Sequence, residues 1–323
     1  MDLIYTDAKW VDQGVLHAYT LDLSFGADEA ENDFELTLGK SEPALADGAL
    51  IYMEGTEYGG MVGGLRSSSG NETRVATGRT WHGILNSKVL QPDAGQDHLT
   101  VSGEANAVLN TLISRMGLTA LFSASEANSG ITISGYSFPR YCKGYAALEA
   151  MLGRHGGKLK MRWKAPGVEL YAERIVNYTD LPIAGDQAAL TVERHAHKVN
   201  HLICLGAGQL AQRQVLHLYA DADGNISESQ HYFGLEEVTE IYDYANAVDA
   251  EELRSEGLSH FRELRAIDKV DVTALEGAGF VYDIGDVIGG ADETSGNEAT
   301  ATITQKIVKI NNGAVSIDYK TGR

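Results

Sequence analysis

The sequence predicts a β-rich α+β protein of more than one domain, and three observations carry that expectation. Apolar and polar residues alternate strictly over Asp33-Phe34-Glu35-Leu36-Thr37-Leu38, the period-two pattern of a half-buried strand. In the middle of the chain the period changes, and Ala105, Val108, Leu109, Leu112 and Met116 recur at helical spacing. The 323 residues, 43 % of them hydrophobic, suffice for about two domains at the usual ~150 residues each.

Residues 14–90 read as strands. Residues 15–23 alternate imperfectly and residues 33–38 strictly, and short strands follow at 49–53, 59–65 and 74–78. Ser67-Ser68-Ser69-Gly70-Asn71 is a loop by composition. The spacing predicts a meandering antiparallel sheet or a small barrel. One helix follows at 104–116, closed by Gly117, and a second at about 144–155, with Tyr145, Leu148 and Leu152 on one face and Gly156-Gly157 after it. Residues 130–134 form a strand between these helices, and residues 158–163 and 168–172 pair through Ala165-Pro166-Gly167.

The third part carries strands at 190–193, 199–205 and 213–219. A helix over 249–264 opens with Asp249 and Glu252 in an acidic form of the capping box. Its inner face is Leu253, Gly257, His260, Phe261 and Leu264. Asn311-Asn312-Gly313 joins strands 301–310 and 314–319, because Asn-Gly accepts the positive φ of a tight hairpin turn. The best linker is 180–186, which gives the division 1–95, 96–180 and 181–323. No internal repeat is present.

Composition excludes several classes. A net charge of −19, from 26 Lys and Arg against 45 Asp and Glu, opposes tight phosphate binding, which depends on basic neutralisation. No apolar run reaches the ~18 residues of a membrane-spanning helix, and Met1-Asp2-Leu3-Ile4-Tyr5 does not begin a signal peptide. Cys142 and Cys204 are too few for a disulfide framework and read as small buried residues. Glycine, 36 of 323 residues, exceeds the usual ~7 % and clusters at strand ends, where bends and bulges need it.

Chemistry-bearing motifs are few. Gly206-Ala207-Gly208-Gln209-Leu210-Ala211 has the spacing of a dinucleotide fingerprint after the strand ending at Leu205. Residues 212–219 lack a helical face, however, so the motif reads as a bend between antiparallel strands. Asp221-Ala222-Asp223-Gly224-Asn225 resembles part of a calcium loop, but with Gly224 at the sixth position Tyr219 stands first and Gln230 twelfth, where carboxylates are needed. A hairpin turn fits better. His195, His197 and His201 lie near one another but lack further zinc ligands at suitable spacing. Trp10, Trp81 and Trp163 read as core or interface anchors rather than sugar platforms. No nucleophile elbow, zinc-protease motif or P-loop is present, and nothing singles out a glycosidase pair among the 45 carboxylates. No catalytic, cofactor-binding or metal-ligating residue is assigned.

Three stretches taken in order carry a resemblance: residues 78–90 (Gly-Arg-Thr-Trp-His-Gly-Ile-Leu-Asn-Ser-Lys-Val-Leu), residues 216–224 (Leu-His-Leu-Tyr-Ala-Asp-Ala-Asp-Gly) and residues 281–289 (Val-Tyr-Asp-Ile-Gly-Asp-Val-Ile-Gly). The last is followed by residues 303–310, Asn312-Gly313 and residues 317–320. Asp33-Phe34-Glu35-Leu36, Gly48 and Glu57-Tyr58-Gly59-Gly60 add to it. The chain resembles the Gp37-like tail proteins of siphophages and prophages, within the class of baseplate or tail-tip hubs. That resemblance implies two tail-tube-type antiparallel β-barrels, at 1–95 and 181–323, with an α/β insertion at 96–180. It implies a homotrimer in the virion tail, between the tail tube or distal tail protein and the spike, fibre or lysin proteins, with a tape-measure protein as neighbour. DNA would pass without adhering, no cofactor is implied, and no enzymatic residues come with the family. A carbohydrate-binding adhesin and a wall-degrading glycosidase are the alternative readings.

Overall fold

The structure, a computed structural model, describes residues 2–26, 32–67, 73–178, 188–193, 198–245, 247, 249–265, 269–274, 282–292, 297–311 and 313–322. The 67–71 loop lies almost wholly outside these residues, as do His195, His197, Asn312 and nearly all of the expected 180–186 linker. Internal contacts divide the chain into two compact units, Met1–Leu190 with Asp271–Gly322, and Thr191–Val270.

The first unit is built on a long sheet. Its order runs Ala314–Gly322, Asn297–Asn311, Tyr19–Gly26, Asp33–Gly39, Thr73–Thr80, Gly59–Ser67, Leu50–Tyr52, Leu3–Thr6 and Asp12–Leu16. Neighbours along this path are antiparallel, but the order is not the simple meander expected, since Asp33–Gly39 pairs with Thr73–Thr80 rather than with the next strand in sequence. The period-two pattern holds: Phe34, Leu36 and Leu38 are buried while Asp33 and Glu35 are exposed. Phe34 lies opposite Leu23, and Leu23 opposite Val308. Leu36, Leu21 and Ile310 form the next row. All six residues are buried, so the row-by-row packing fixes the register, because a one-residue slip would turn each side chain to the other face. Strands from both ends of the chain thus share one core. The contact units therefore differ from the sequence-order division 1–95, 96–180 and 181–323.

A helix not anticipated from periodicity, α1 (Trp81–Asn86), follows directly on its strand, and Thr80 Oγ1 caps it by accepting from the Gly83 amide at 3.3 Å. Six residues are too few to display a helical repeat. Helices α2 (Ala105–Arg115) and α3 (Gly144–Arg154) fall where expected. Glu104 caps α2 by accepting from the Ala107 amide. The two helices pack with the hairpin Gly157–Lys164/Gly167–Arg174 around Leu109, Leu112, Leu148, Leu152 and Leu170, all fully buried. Phe122–Ala124 adds to the hairpin in parallel.

The second unit has a four-stranded sheet of order Ile226–Ser227, Val215–Ala220, His201–Leu205, Thr239–Asp243. Helix α4 (Ala250–Arg265) packs on one face, with Leu253 and Phe261 against Leu202, Cys204 and Leu218. Asp249 Oδ1 accepts from the Glu252 amide at 2.8 Å, as the capping reading expects. No helix among the described residues is long and apolar enough to cross a membrane.

Gly83 shows how close the backbones come in the first unit. A Cβ placed there would sit 1.9 Å from the carbonyl oxygen of Asn32. Gly153 near the end of α3 faces open space. Gly83→Ala is expected to destabilise the protein by roughly 1–3 kcal/mol through overpacking, whereas Gly153→Ala is expected to stabilise it by up to ~1 kcal/mol through helix propensity. Urea unfolding of the two variants checks both signs.

Candidate functional site

The hairpin strand Gly157–Lys164 reads Gly-Lys-Leu-Lys-Met-Arg-Trp-Lys. Alternation places Leu159, Met161 and Trp163 in the core and Lys158, Lys160, Arg162 and Lys164 on the opposite face. Every cation of that basic row meets an acid. Arg162 and Lys164 both bond Glu169 across the hairpin. Lys160 Nζ lies 2.6 Å from Asp283 Oδ2. Lys158 is buried and donates to both oxygens of Asp286, at 2.7 and 2.8 Å.

The acids that meet Lys158 and Lys160 come from a turn at 282–286, inside the third stretch that carried the resemblance. Asp286 is fully buried and completely bonded: besides Lys158 it accepts from the amides of Val176 (2.9 Å) and Asp283 (3.0 Å). Asp283 stands between Lys158, Lys160 and Lys306. Burial alone would raise its carboxyl pKa, but the three ammonium groups outweigh that and bring it down to about 2.

Lys306 reaches the cluster from the long C-terminal strand. A register shift between Ile303 and Gln305 lets both Ile303 and Lys306 face inward, ahead of Val308 and Ile310. Only 2 % of the Lys306 side chain is exposed, and its Nζ donates to Glu57 Oε1 at 2.6 Å and Asp283 Oδ1 at 3.4 Å. Burial pulls this ammonium towards neutrality, yet Glu57, Tyr58 and Asp283 overcome the effect and raise its pKa. Glu57 is held below the usual carboxylate range for the reciprocal reason: Lys306 and its neighbours outweigh desolvation.

Two buried groups border the cluster. His82, on α1, stacks on Phe25 at 4.4 Å and meets the edge of Tyr145. Burial drops its pKa to about 4 against the opposing pull of Glu57, so it is neutral at pH 7 and its 3.9 Å approach to Glu57 is not an ion pair there. Glu149, on α3, accepts from the Leu159 amide at 3.2 Å, and burial raises its pKa to about 8. The chemical character of the site follows. Three lysines (158, 160, 306) meet three acids (57, 283, 286), so the cluster works as an electrostatic latch. It binds three stretches remote in sequence: 57–82, 158–160 and 283–306.

The residues weighed from sequence are placed elsewhere. Gly206-Ala207-Gly208 is a bend between antiparallel strands, as read: Gly206 and Ala207 exchange backbone bonds with Gln214, and Gly208 takes φ +103°. Asp221–Asn225 is a hairpin turn whose Asp221 accepts from the Asn225 amide. His201 bonds Glu237 (2.7 Å) and His217 (2.8 Å). Among the described residues no three His, Cys, Asp or Glu side chains are grouped to hold a metal ion. Cys142 and Cys204 are unpaired thiols, half-buried and buried respectively. Trp81 and Trp163 stack in the core with Tyr52, while Trp10 is 38 % exposed. Sequence reading missed the latch. Its one visible signal was the alternation of four cations with Leu159, Met161 and Trp163.

The chain matches no family model and no curated protein sequence. Solved structures do resemble it along its length. The prophage MuSo2 43 kDa tail protein from Shewanella oneidensis superposes with a TM-score of 0.59 at 10 % identity, covering 100 % of this chain and 98 % of the other. A tail protein from Neisseria meningitidis MC58 gives 0.54 at 11 % identity, with 100 % and 96 % covered. A chain of the phage P2 baseplate in its activated conformation with Ca gives 0.52 at 10 % identity, with 99 % and 98 % covered. The fold is therefore the β-rich fold found in phage tail and baseplate proteins.

Two outcomes test the latch. Lys306→Ala takes the ion-pair partner from Glu57, while Asp283 keeps Lys158 and Lys160, and is expected to cost about 3 kcal/mol by urea unfolding at pH 7. The pH dependence has two windows of opposite sign. Asp283 ionises near 3.8 when unfolded and near 2 when folded. Its contribution, about 2 kcal/mol, is thus complete above pH 4 and lost as the pH falls towards 2. Glu149 ionises near 4.5 unfolded and near 8 folded, so its buried neutral form costs progressively more stability as the pH rises from 4.5 to 8. Glu149→Gln is expected to flatten that second decline, read as urea midpoints at pH 5 and pH 8.5.

Proposed function

We propose that this chain is a non-enzymatic structural protein of a phage or prophage tail, a baseplate or tail-tip hub of the Gp37-like class. The observation that carries this reading is the correspondence in fold to tail and baseplate proteins over 99–100 % of the chain. Three copies close a ring in the virion tail. Each contributes tube-type β structure, in which strands from both ends of the chain lie in one sheet. The ring joins the tail tube or distal tail protein to spike, fibre or lysin proteins, and the tape-measure protein is its inner neighbour.

Two physical features support such a role. A part that transmits load between neighbours must keep its elements in register, and the latch ties three remote stretches of the first unit together. A passage for DNA must also not retain it. The net charge of −19 repels phosphate within the ~8–10 Å over which salt leaves charge unscreened.

The purified full chain is expected to scatter light with the mass of three copies and to leave duplex DNA unshifted in a gel at 50 mM salt. The mass of a single copy at every concentration, with and without tail partners, would overturn the hub reading.

A further inference from the structure

The ion pairs of the latch differ in how dry they are. Lys306 holds Glu57 through one oxygen, and 14 % of the Glu57 side chain is exposed. Lys160 and Asp283 are 18 % and 16 % exposed. Lys158 and Asp286 are 2 % and 0 % exposed, and Lys158 Nζ lies 2.7 and 2.8 Å from the two oxygens of Asp286. Of these three pairs only the last is dry on both sides. A nitrogen that close to both oxygens stands about 3 Å from the carbon between them, the near-attack range for bond formation.

The surroundings of Asp286 suit addition to its carboxyl carbon. Its Oδ1 accepts from the Val176 amide at 2.9 Å and its Oδ2 from the Asp283 amide at 3.0 Å. Main-chain donors fixed on a carboxyl oxygen hold the negative charge that gathers there during acyl transfer. Asp283 Oδ2 lies 3.3 Å from the same Nζ, so a second carboxylate is within reach to carry a proton. Burial of both partners removes the hydration that favours separate ions and keeps water from the reverse, hydrolytic step. Held in one place, amine and acid meet at an effective concentration of up to about 10⁵–10⁸ M.

We propose that Lys158 and Asp286 condense with each other, forming an amide cross-link between the strand Gly157–Lys164 and the 282–286 turn. The ion pair is the reactant state. Nζ passes one proton to Asp286 Oδ2. Its lone pair then forms the bond to Asp286 Cγ, while the carbonyl electrons move to Oδ1. Asp283 takes a second proton from Nζ and returns it to Oδ2, which leaves as water as the carbonyl re-forms. In sum –NH₃⁺ and –COO⁻ give –NH–CO– and one water, with no other reactant. The product strands no buried group: its oxygen has lone pairs for both the Val176 and Asp283 amides, and its N–H faces Asp283. The link joins residues 128 apart in sequence. It makes part of the latch covalent, and it does not depend on the tail reading.

The test is the intact mass of the purified full chain, denatured before measurement, followed by peptide mapping. The expected result is a chain lighter than its sequence by one water, and a branched peptide joining Lys158 to Asp286. A chain at its full sequence mass overturns the proposal, as does a branch from Lys158 to Asp283 or another acid. Asp286→Asn keeps the shape of the acceptor and changes its leaving group, so it is expected to lose one ammonia in place of one water. Lys158→Arg removes the attacking amine and is expected to keep its full mass. Loss of one water from Lys158→Arg puts the dehydration elsewhere, for instance at Asp223-Gly224, and overturns the proposal. Where a variant fails to fold, the branched peptide of the unaltered protein decides.

Discussion

A buried charge constrains a fold more sharply than a buried methyl group. An apolar side chain at position 306 would be satisfied by any apolar neighbours. Lys306 is satisfied only where Glu57 and Asp283 converge on it. Asp286 in turn needs Lys158 and two backbone amides, and Asp283 needs Lys160. Because an ion left unpaired in the interior costs several kcal/mol, alternatives that shift one participating strand are penalised at several contacts together. The buried hydrophobic rows supply cohesion, and the latch restricts that cohesion to one arrangement.

The aromatic side chains complete this division of labour. Tyr52, Trp163 and Trp81 stack in sequence through the core, and His82 lies flat on Phe25. These planar contacts tolerate small sliding, whereas the ion pairs, at 2.6–2.7 Å for the shortest of them, do not. The Trp81-His82 pair joins the two systems, since adjacent residues on α1 send one ring into the stack and the other to the edge of the charge cluster. The stretch 78–90, which carried much of the family resemblance, thereby has a physical role in this chain.

Local order was legible in the sequence wherever a period had room to repeat. The strand Asp33–Gly39, the helices α2, α3 and α4, and the final hairpin lie within a few residues of their expected bounds. Helix α1 was not legible, because six residues span less than two turns. Pairing between remote strands was not legible either. Nothing in the alternation of Tyr19–Gly26 names Asn297–Asn311 as its neighbour, and the parallel partners Phe122–Ala124 and Thr239–Asp243 carry no turn signal. The latch combines both difficulties. A cation row on a strand ordinarily faces solvent, and the acids that meet Lys158 and Lys160 stand more than a hundred residues away.

The pairing of Tyr19–Gly26 with Asn297–Asn311 also has a consequence in time. The partners are separated by about 280 residues, and synthesis proceeds at ~5–20 residues per second. Tyr19–Gly26 therefore waits on the order of 14–56 s after it is made before its second neighbour exists. Throughout that interval Leu21, Leu23 and Phe25 stand on a strand with one open edge, the kind of edge that recruits other strands. Translation rate and chaperone cover over this interval thus become determinants of yield, set by topology rather than by any property of the finished molecule.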